Sequence, residues 1–299
     1  MKKRLHLNRL FAALWGRIGR HFSDYYYLKI RFRLIFGWWP DFENPQTFNE
    51  KLNWLKIYWR CLELNQFVDK WEVKKWVEKN EVNVIPSYGV WDSFDDIDFK
   101  NLPPQFVLKS TNGGGGTGVV VCNDITSFDF AKAHKQLESS MRTNWLIQRE
   151  WVYYDLKPRI LAEKLMKNED GSPLVDWKFF CFDGEPLLLF YASDRYKEGE
   201  PLKFDWYDMQ LRHLPIISKG YPNANVQIDP FPEFEKMKEI ARKLSRGFPH
   251  VRVDLYLINH EVYFGELTFF HDGGMVPIMP KEWDYTIGQW LTLPPKTNQ

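Results

Sequence analysis

Two short stretches of this 299-residue chain combine residue types and spacings that could do chemistry. The first is Phe106-Val107-Leu108-Lys109-Ser110-Thr111-Asn112-Gly113-Gly114-Gly115-Gly116-Thr117-Gly118-Val119. Glycines let backbone N–H groups surround an anion without Cβ clashes. Lys109, on the strand entering the loop, would add positive charge for phosphates. The loop is not a Walker A sequence, because no Gly-Lys-Ser/Thr follows and strands flank it on both sides. It is not a dinucleotide fingerprint for the same reason. A flexible hairpin turn is the plainer alternative. Four consecutive glycines cost conformational entropy without return in such a turn, which favours phosphate binding.

The second stretch runs from Val251 through Arg252, Asp254, Ile258 and Asn259-His260-Glu261 to Glu266 and Thr268. Side chains alternate faces along a strand. A three-residue loop over Asn259–Glu261 would pair Ile258 with Val262, Tyr256 with Phe264, Asp254 with Glu266 and Arg252 with Thr268. Arg252, Asp254, Glu266 and Thr268 then share one face, and Val251, Val253, Leu255, Leu257, Tyr263 and Leu267 form the other. A two-residue loop would separate the carboxylates, so register decides the chemistry. Opposed carboxylates repel unless a cation lies between them. Mg²⁺, bridged by carboxylates and substrate phosphates, is the natural candidate. A solvated polar face with an Arg–Asp pair is the alternative. The three cysteines, Cys61, Cys122 and Cys181, lie about 60 residues apart, which is neither a disulfide framework nor a zinc site. Their odd number fits a reducing compartment.

Several elements must hold these groups. Thr47-Phe48-Asn49-Glu50 reads as a capping box opening a helix through about Arg60, with Leu52, Leu55 and Trp59 on one face. A second helix is expected over about 66–79. Pro86, the acidic stretch 92–98 and Pro103-Pro104 then break regular structure. Strands flank the glycines at 106–110 and 119–122, and a helix follows at about 128–141. Asp183-Gly184 suits a tight type I′ turn between strands 177–182 and 187–191. A helix at 233–246, stopped by Gly247, precedes the carboxylate strands at 251–258 and 262–269. Helices mixed with hairpin-paired strands argue an α+β fold rather than a doubly wound parallel sheet.

Composition sets outer bounds. The chain is 44% hydrophobic and 26% charged with a net charge of +1, which excludes intrinsic disorder. No apolar run of about 18 residues spans a membrane. The near-zero charge conceals an asymmetry: residues 1–34 hold nine bases against Asp24 alone, and the remainder is net acidic. Leu7, Leu10, Phe11, Leu14, Trp15 and Ile18 recur among the bases at helical spacing. Such a helix either packs on the body or lies on an anionic membrane surface. Arg9, Arg17 and Arg20 interrupt the apolar stretch, so it is a poor signal peptide. Nucleic acid is not an expected partner, because the basic segment is short and the rest acidic. The expected location is cytoplasmic, with residues 1–34 resting on the inner face of the cell membrane if they contact lipid.

The glycine hairpin with its entering lysine, followed far downstream by Arg-x-Asp and Glu-x-Thr on paired strands, resembles the ATP-grasp superfamily. More narrowly the chain looks like the TupA-like ATP-grasp family, named for teichuronopeptide biosynthesis. The motifs are Asn44-Pro45-x-Thr47-Phe48-Asn49-Glu50-Lys51-Leu52, Asp69-Lys70, Val90-Trp91, Phe106–Lys109, Pro158-Arg159, Lys178–Gly184, Gly265–Phe269, Trp283-Asp284 and Leu293-Pro294. Two positions depart from the pattern: Lys74 or Lys75 stands where an arginine is expected, and Thr268 stands where most ATP-grasp enzymes use Asn.

The resemblance implies an ATP-grasp fold: a helical N-terminal region over 1–104, a lid subdomain over 105–160 and a catalytic subdomain over 161–299. It implies ATP and Mg²⁺ as cofactors. Lys109 would contact the α-phosphate and the adenine side, Lys70 the phosphates, and Gly113–Gly118 with Thr117 would close as a lid. Glu163, Lys164 and Leu165 would form the adenine hinge, with Asp176 and Lys178 on the next strand. Asp254, Glu266 and Thr268 would hold Mg²⁺, and Arg252 would stabilise the transferring phosphoryl group. Arg159 is either an acceptor-binding residue or half of a structural salt bridge. His271, in His271-Asp272-Gly273-Gly274, is a candidate base for an acceptor site. The implied reaction is carboxylate–amine ligation through an acyl phosphate, joining an amino acid to a uronic-acid-bearing surface polysaccharide or its precursor. Two other functions compete: a polysaccharide glycosyltransferase using Asp96-Ile97-Asp98 as a metal-binding Asp-x-Asp, and a non-catalytic membrane-peripheral assembly factor.

Overall fold

The computed structural model describes residues 19–114, 116–143, 147–193 and 203–297. The helix expected around Leu7–Ile18, and Gly115 of the loop, lie outside the described residues. In chain order the elements are α1 (Asp24–Phe36), α2 (Phe48–Tyr58), α3 (Asn65–Val68), α4 (Glu72–Lys79), β1 (Asn83–Val84), β2 (Ser87–Trp91), β3 (Phe106–Ser110), β4 (Val119–Cys122) and α5 (Phe130–Met141). These are followed by β5 (Ile160–Lys164), β6 (Asp176–Phe182), β7 (Glu185–Ser193), β8 (Lys203–Tyr207), β9 (His213–Leu214), β10 (Ile217–Ser218), α6 (Glu233–Ser245), β11 (His250–Ile258), β12 (Glu261–Thr268), β13 (Ile278–Met279) and α7 (Lys281–Trp290).

Local chemistry accounts for most boundaries. The capping box forms: Thr47 Oγ1 accepts from the Glu50 N–H at 3.2 Å, and Glu50 Oε2 accepts from the Thr47 N–H at 3.0 Å. The single helix expected over 66–79 is instead two. Asp69 turns out of helical geometry, with ψ 120, and its Oδ1 accepts from the N–H groups of Trp71 and Glu72 at 2.9 and 3.0 Å. That side chain satisfies amides left free where α4 starts, and so offers the chain an alternative to a continuous helix. Asp183 and Gly184, at φ 48 and 86, make the expected tight turn between β6 and β7.

The strands form a seven-stranded sheet in the order β1-β12-β11-β6-β7-β8-β9, a four-stranded sheet β2-β5-β3-β4, and a small β10-β13 pair. All pairs are antiparallel except β1 with β12. The four-stranded sheet draws β2 from before residue 105, a segment expected to be irregular. Its strand β5 also runs across the expected 160/161 boundary. Each sheet buries one face under a helix. Phe234, Met237, Ala241 and Leu244 of α6 pack on the large sheet with Phe179, Val251, Val253 and Leu255. Ala133 and Leu137 of α5 pack on the small one with Phe106, Leu108, Ile160 and Ala162. Because side chains alternate, Lys178, Arg252 and Asp254 on one sheet and Lys109 and Glu163 on the other occupy the faces away from these helices.

Helix α1 packs on the body. Tyr27, Leu28 and Phe32 are fully buried against Phe42, Ile57 and Met275. Two of its bases bind carbonyls: Arg31 donates to that of the distant Ile147 and Arg33 to that of the neighbouring Gly37. Among the described residues no helix is long and apolar enough to cross a membrane.

Candidate functional site

The carboxylate hairpin reaches the expected pairing by an unexpected route. Its loop has two residues, Asn259 and His260, both at positive φ (50 and 65), so Ile258 pairs with Glu261 and not with Val262. Continued without change, that register would set Asp254 opposite Gly265 and turn Glu266 to the apolar face. A β-bulge between Asp254 and Leu255 absorbs one extra residue of β12. Leu255 pairs with Phe264, Asp254 with Glu266, and Arg252 with Thr268. Gly265 occupies the bulge, where a Cβ would lie 2.9 Å from the Asp254 carbonyl oxygen. Tyr263 consequently pairs with Tyr256 on the site face, and Val262 and Phe264 line the core, the reverse of the sequence expectation.

On its other side β11 pairs with β6, which sets Lys178 opposite Asp254. Lys178, Asp254 and Glu266 thus form one row across three strands. Lys178 donates to Asp254 Oδ2 and lies 3.6 Å from Asp176. Arg252 grips Asp254 through Nε and Nη2 at 2.7 and 2.8 Å, and its Nη2 also reaches Glu266 Oε1 at 3.1 Å. Desolvation works to raise the Glu266 carboxyl, but Lys70, Lys178 and Arg252 hold it at about 2. Burial dominates at Asp254 and, with the nearby Glu266 charge, raises it despite Arg252 and Lys178. Thr268 lies beside Arg252 on this face.

Lys70 links the two sheets. Its Nζ donates to the Gly113 carbonyl and lies 3.4 Å from Glu266 Oε2, and its backbone N–H donates to the Thr111 carbonyl at 3.0 Å. The glycine loop begins and ends over one contact, the 2.6 Å hydrogen bond between the Ser110 and Ser140 hydroxyls. A Cβ on Gly113 or Gly118 would lie 2.3 or 2.1 Å from Ser110 Oγ, and Gly116 needs its positive φ of 78. Thr117 donates to the Gly114 carbonyl at 3.1 Å.

Lys109 binds Glu163 at 2.6 Å, and Lys74 binds the other oxygen of the same carboxylate. Burial lowers the Lys109 ammonium, but Glu163 with Glu266 and Asp176 more than compensates and raises it. Glu163 is therefore turned to two lysines. The segment Leu161–Glu163 spends its backbone in the sheet, and the Lys164 N–H donates to the Pro86 carbonyl at 2.9 Å. Leu165 follows the strand end. Arg159 pairs with Glu72 at 2.8 Å and Asp69 at 3.4 Å. Asp96 and Asp98 accept locally from Ser93 and Asn101 at 2.6 Å, with Ile97 between them buried in the small core, so this Asp-x-Asp caps turns.

Two buried cations, Lys56 and Arg149, are missed by sequence reasoning. Lys56 is fully buried on α2 and donates to the carbonyls of Gln148 at 3.0 Å and Gly273 at 2.5 Å. Its signal was present: Asn49, Asn53 and Lys56 recur at helical spacing on the buried face of α2.

A glycine hairpin on one sheet facing a carboxylate hairpin on another, tied by Lys70, defines an ATP-grasp fold. Residues 50–292 match the family model described as TupA-like ATPgrasp, and the chain belongs to that family. No curated protein matches the chain in sequence. Solved structures similar to it include D-alanine–D-alanine ligase from Helicobacter pylori, at 14% identity and TM-score 0.42, over 76% of this chain and 61% of that one. L-amino acid ligase from Bacillus licheniformis is similar at 16% identity and TM-score 0.44, over 70% of this chain and 44% of that one. The chain thus spans between two-fifths and two-thirds of the length of these structures.

Proposed function

We propose that this chain is an ATP-dependent carboxylate–amine ligase. The observation that carries the reading is the Lys178–Asp254–Glu266 row, bridged by Arg252 and tied through Lys70 to the glycine loop. Asp254 and Glu266 offer hard carboxylate oxygens on one face, with the Thr268 hydroxyl beside them. Among the described residues no group of three or more His, Cys, Asp or Glu is placed to hold a metal. That donor set suits Mg²⁺, which is typically held by one or two carboxylates together with nucleotide phosphates. Glu266, whose side chain is 31% exposed, is the accessible member. MgATP, when bound, supplies the phosphoryl group that converts a carboxylate to an acyl phosphate, from which an amine displaces phosphate to leave an amide. The chain's part is positioning and charge neutralisation. Lys109 and Lys178 present fixed ammonium groups, Arg252 a guanidinium for the transferring phosphoryl, and the loop amides a cradle. Asp176 orients Lys178.

The substrates proposed from the family resemblance are an amino acid and a uronic-acid glycan or its precursor, in the setting of surface-polysaccharide assembly. Peripheral contact with the inner face of the cell membrane is part of the reading. Phe22, Tyr26 and Trp39, at 48, 60 and 57% exposure, flank or lie on the outward side of α1. Arg33 lies 5.9 Å from the Trp39 ring, and Lys281 lies 4.2 Å from that of Trp38. Exposed aromatics among bases suit an anionic lipid interface.

The test is an ADP-release screen of amino acids against uronic-acid glycans, read by mass spectrometry. MgATP should raise the melting temperature and UDP-sugars should not; the reverse favours the glycosyltransferase. Glu266→Ala should abolish ADP release with the fold intact, and full retained activity would refute the metal assignment. Deleting residues 1–20 together with Phe22→Ala, Tyr26→Ala and Trp39→Ala should weaken binding to phosphatidylserine vesicles, and unchanged binding would refute membrane contact.

A further inference from the structure

The Arg252 guanidinium is held on three sides, and one of its partners is uncharged. Nε and Nη2 bind Asp254, Nη2 also binds Glu266, and Nη1 lies 2.9 Å from Nδ1 of His271. A guanidinium only donates hydrogen bonds. Nδ1 must therefore accept with its lone pair, and the ring proton must sit on Nε2. Nε2 lies 3.4 Å from Asp272 Oδ2, whose negative charge favours a proton on that side of the ring. The ring is enclosed by Phe180, Phe190 and Trp206, with centroids 4.8, 5.5 and 6.1 Å away. Burial holds it neutral, at about 4.

The backbone around Asp272 is built for this placement. Asp272, Gly273 and Gly274 all have positive φ, at 48, 60 and 61. Glycine adopts this conformation freely, so only Asp272 is strained, and it needs surroundings that hold it. Here α2 holds the loop from below: Lys56 donates to the Gly273 carbonyl and Asn53 to the Gly274 carbonyl at 2.8 Å. A Cβ on Gly274 would meet the Asn53 amide at 2.9 Å. The buried polar stripe of α2 thus fixes the loop, the loop places Asp272 beside the ring, and the ring faces Arg252.

We propose that His271, with the Nδ1 lone pair turned to the guanidinium and the ring proton on the Asp272 side, is the positioning residue for Arg252. It holds the guanidinium edge that the two carboxylates leave free, so that the group meets a γ-phosphate in one orientation. The functional consequence rests on the ligase reading above, but the tautomer does not. His271 is on this view a neutral acceptor and not the base of an acceptor site.

Two measurements test it. Selective ¹⁵N-histidine labelling, with the His271 signal identified by its loss in His271→Asn, should show Nδ1 unprotonated and Nε2 protonated. A proton on Nδ1 would overturn the proposal whatever the enzyme's activity. Separately, the affinities of Mg-AMPPNP and MgADP should be compared by calorimetry. His271→Leu should lower the preference for AMPPNP roughly 10-fold, the worth of one charge-assisted hydrogen bond, with MgADP affinity little changed. His271→Asn, whose Oδ1 falls near the Nδ1 position, should restore most of that preference. Equal loss in both variants would overturn the proposal. If the unaltered protein binds neither nucleotide, the ligase reading fails and the labelling result alone decides the tautomer.

Discussion

Gly265→Ala should damage both stability and nucleotide binding, because the bulge is what brings the two carboxylates together. The new Cβ would lie 2.9 Å from the Asp254 carbonyl oxygen and 3.1 Å from Cε2 of Tyr256. Ordinary contact begins near 3.4 Å, and the nearer obstacle is backbone in the middle of the seven-stranded sheet. β11 cannot withdraw, because β6 pairs with it on the far side through Asp254 and Lys178. The expected cost is that of overpacking, about 1–3 kcal/mol, read as a lower urea midpoint at unchanged slope. The carbonyl that must shift belongs to Asp254 itself, so the spacing from Asp254 to Glu266 changes with it. At 100 times its dissociation constant MgATP should stabilise the unaltered protein by about 2.7 kcal/mol. A tenfold loss of affinity in Gly265→Ala would remove about 1.3 kcal/mol of that. A variant with unchanged urea midpoint and unchanged MgATP stabilisation would refute the role given to the bulge.

Three further outcomes follow from the same geometry. Lys74→Met leaves Glu163 with one of its two cations and the Ile85 carbonyl, an acceptor from Lys74 at 2.6 Å, without its donor. Breaking this buried pair should cost about 3 kcal/mol by urea titration, and a loss under 1 kcal/mol would show the triad to be loose. Gly118→Ala should destabilise because its Cβ strikes the Ser110 and Ser140 hydroxyls, and adding Ser140→Gly should recover part of the loss. Gly116→Ala, strained by φ 78 but facing open space, should gain nothing from the same second change. Burial holds the His250 ring at about 3 against an ordinary 6.5, so the fold favours its neutral form. That contribution is complete above pH 6.5 and is lost as pH falls toward 3, at up to about 1.4 kcal/mol per pH unit. His250→Phe should make the acid limb of the stability profile shallower by one proton, and an identical limb would contradict this.

The local signals in the chain were readable because they act within a few residues. Thr47 and Glu50 cap each other across one turn, Asp183-Gly184 makes its hairpin from its own backbone preferences, and the glycine run between two β-prone segments makes a loop in any context. The apolar alternation of Val251, Val253 and Leu255 in β11 likewise marks its buried face. Only the tertiary structure decided how these pieces meet. The opposition of Asp254 and Glu266 depends on a bulge that absorbs one residue, and pattern alone cannot separate a three-residue loop from a two-residue loop with a bulge, since both leave the carboxylates paired. The break at Asp69 depends on a side chain outcompeting helix continuation. The attachment of Lys74 and Lys109 to one carboxylate, of Lys70 to both hairpins, and of His271 to Arg252 joins residues from about 20 to nearly 200 positions apart in the chain. Such charges are placed by burial: each must find its partner once water is excluded, and the order of the sheets determines which partner is within reach.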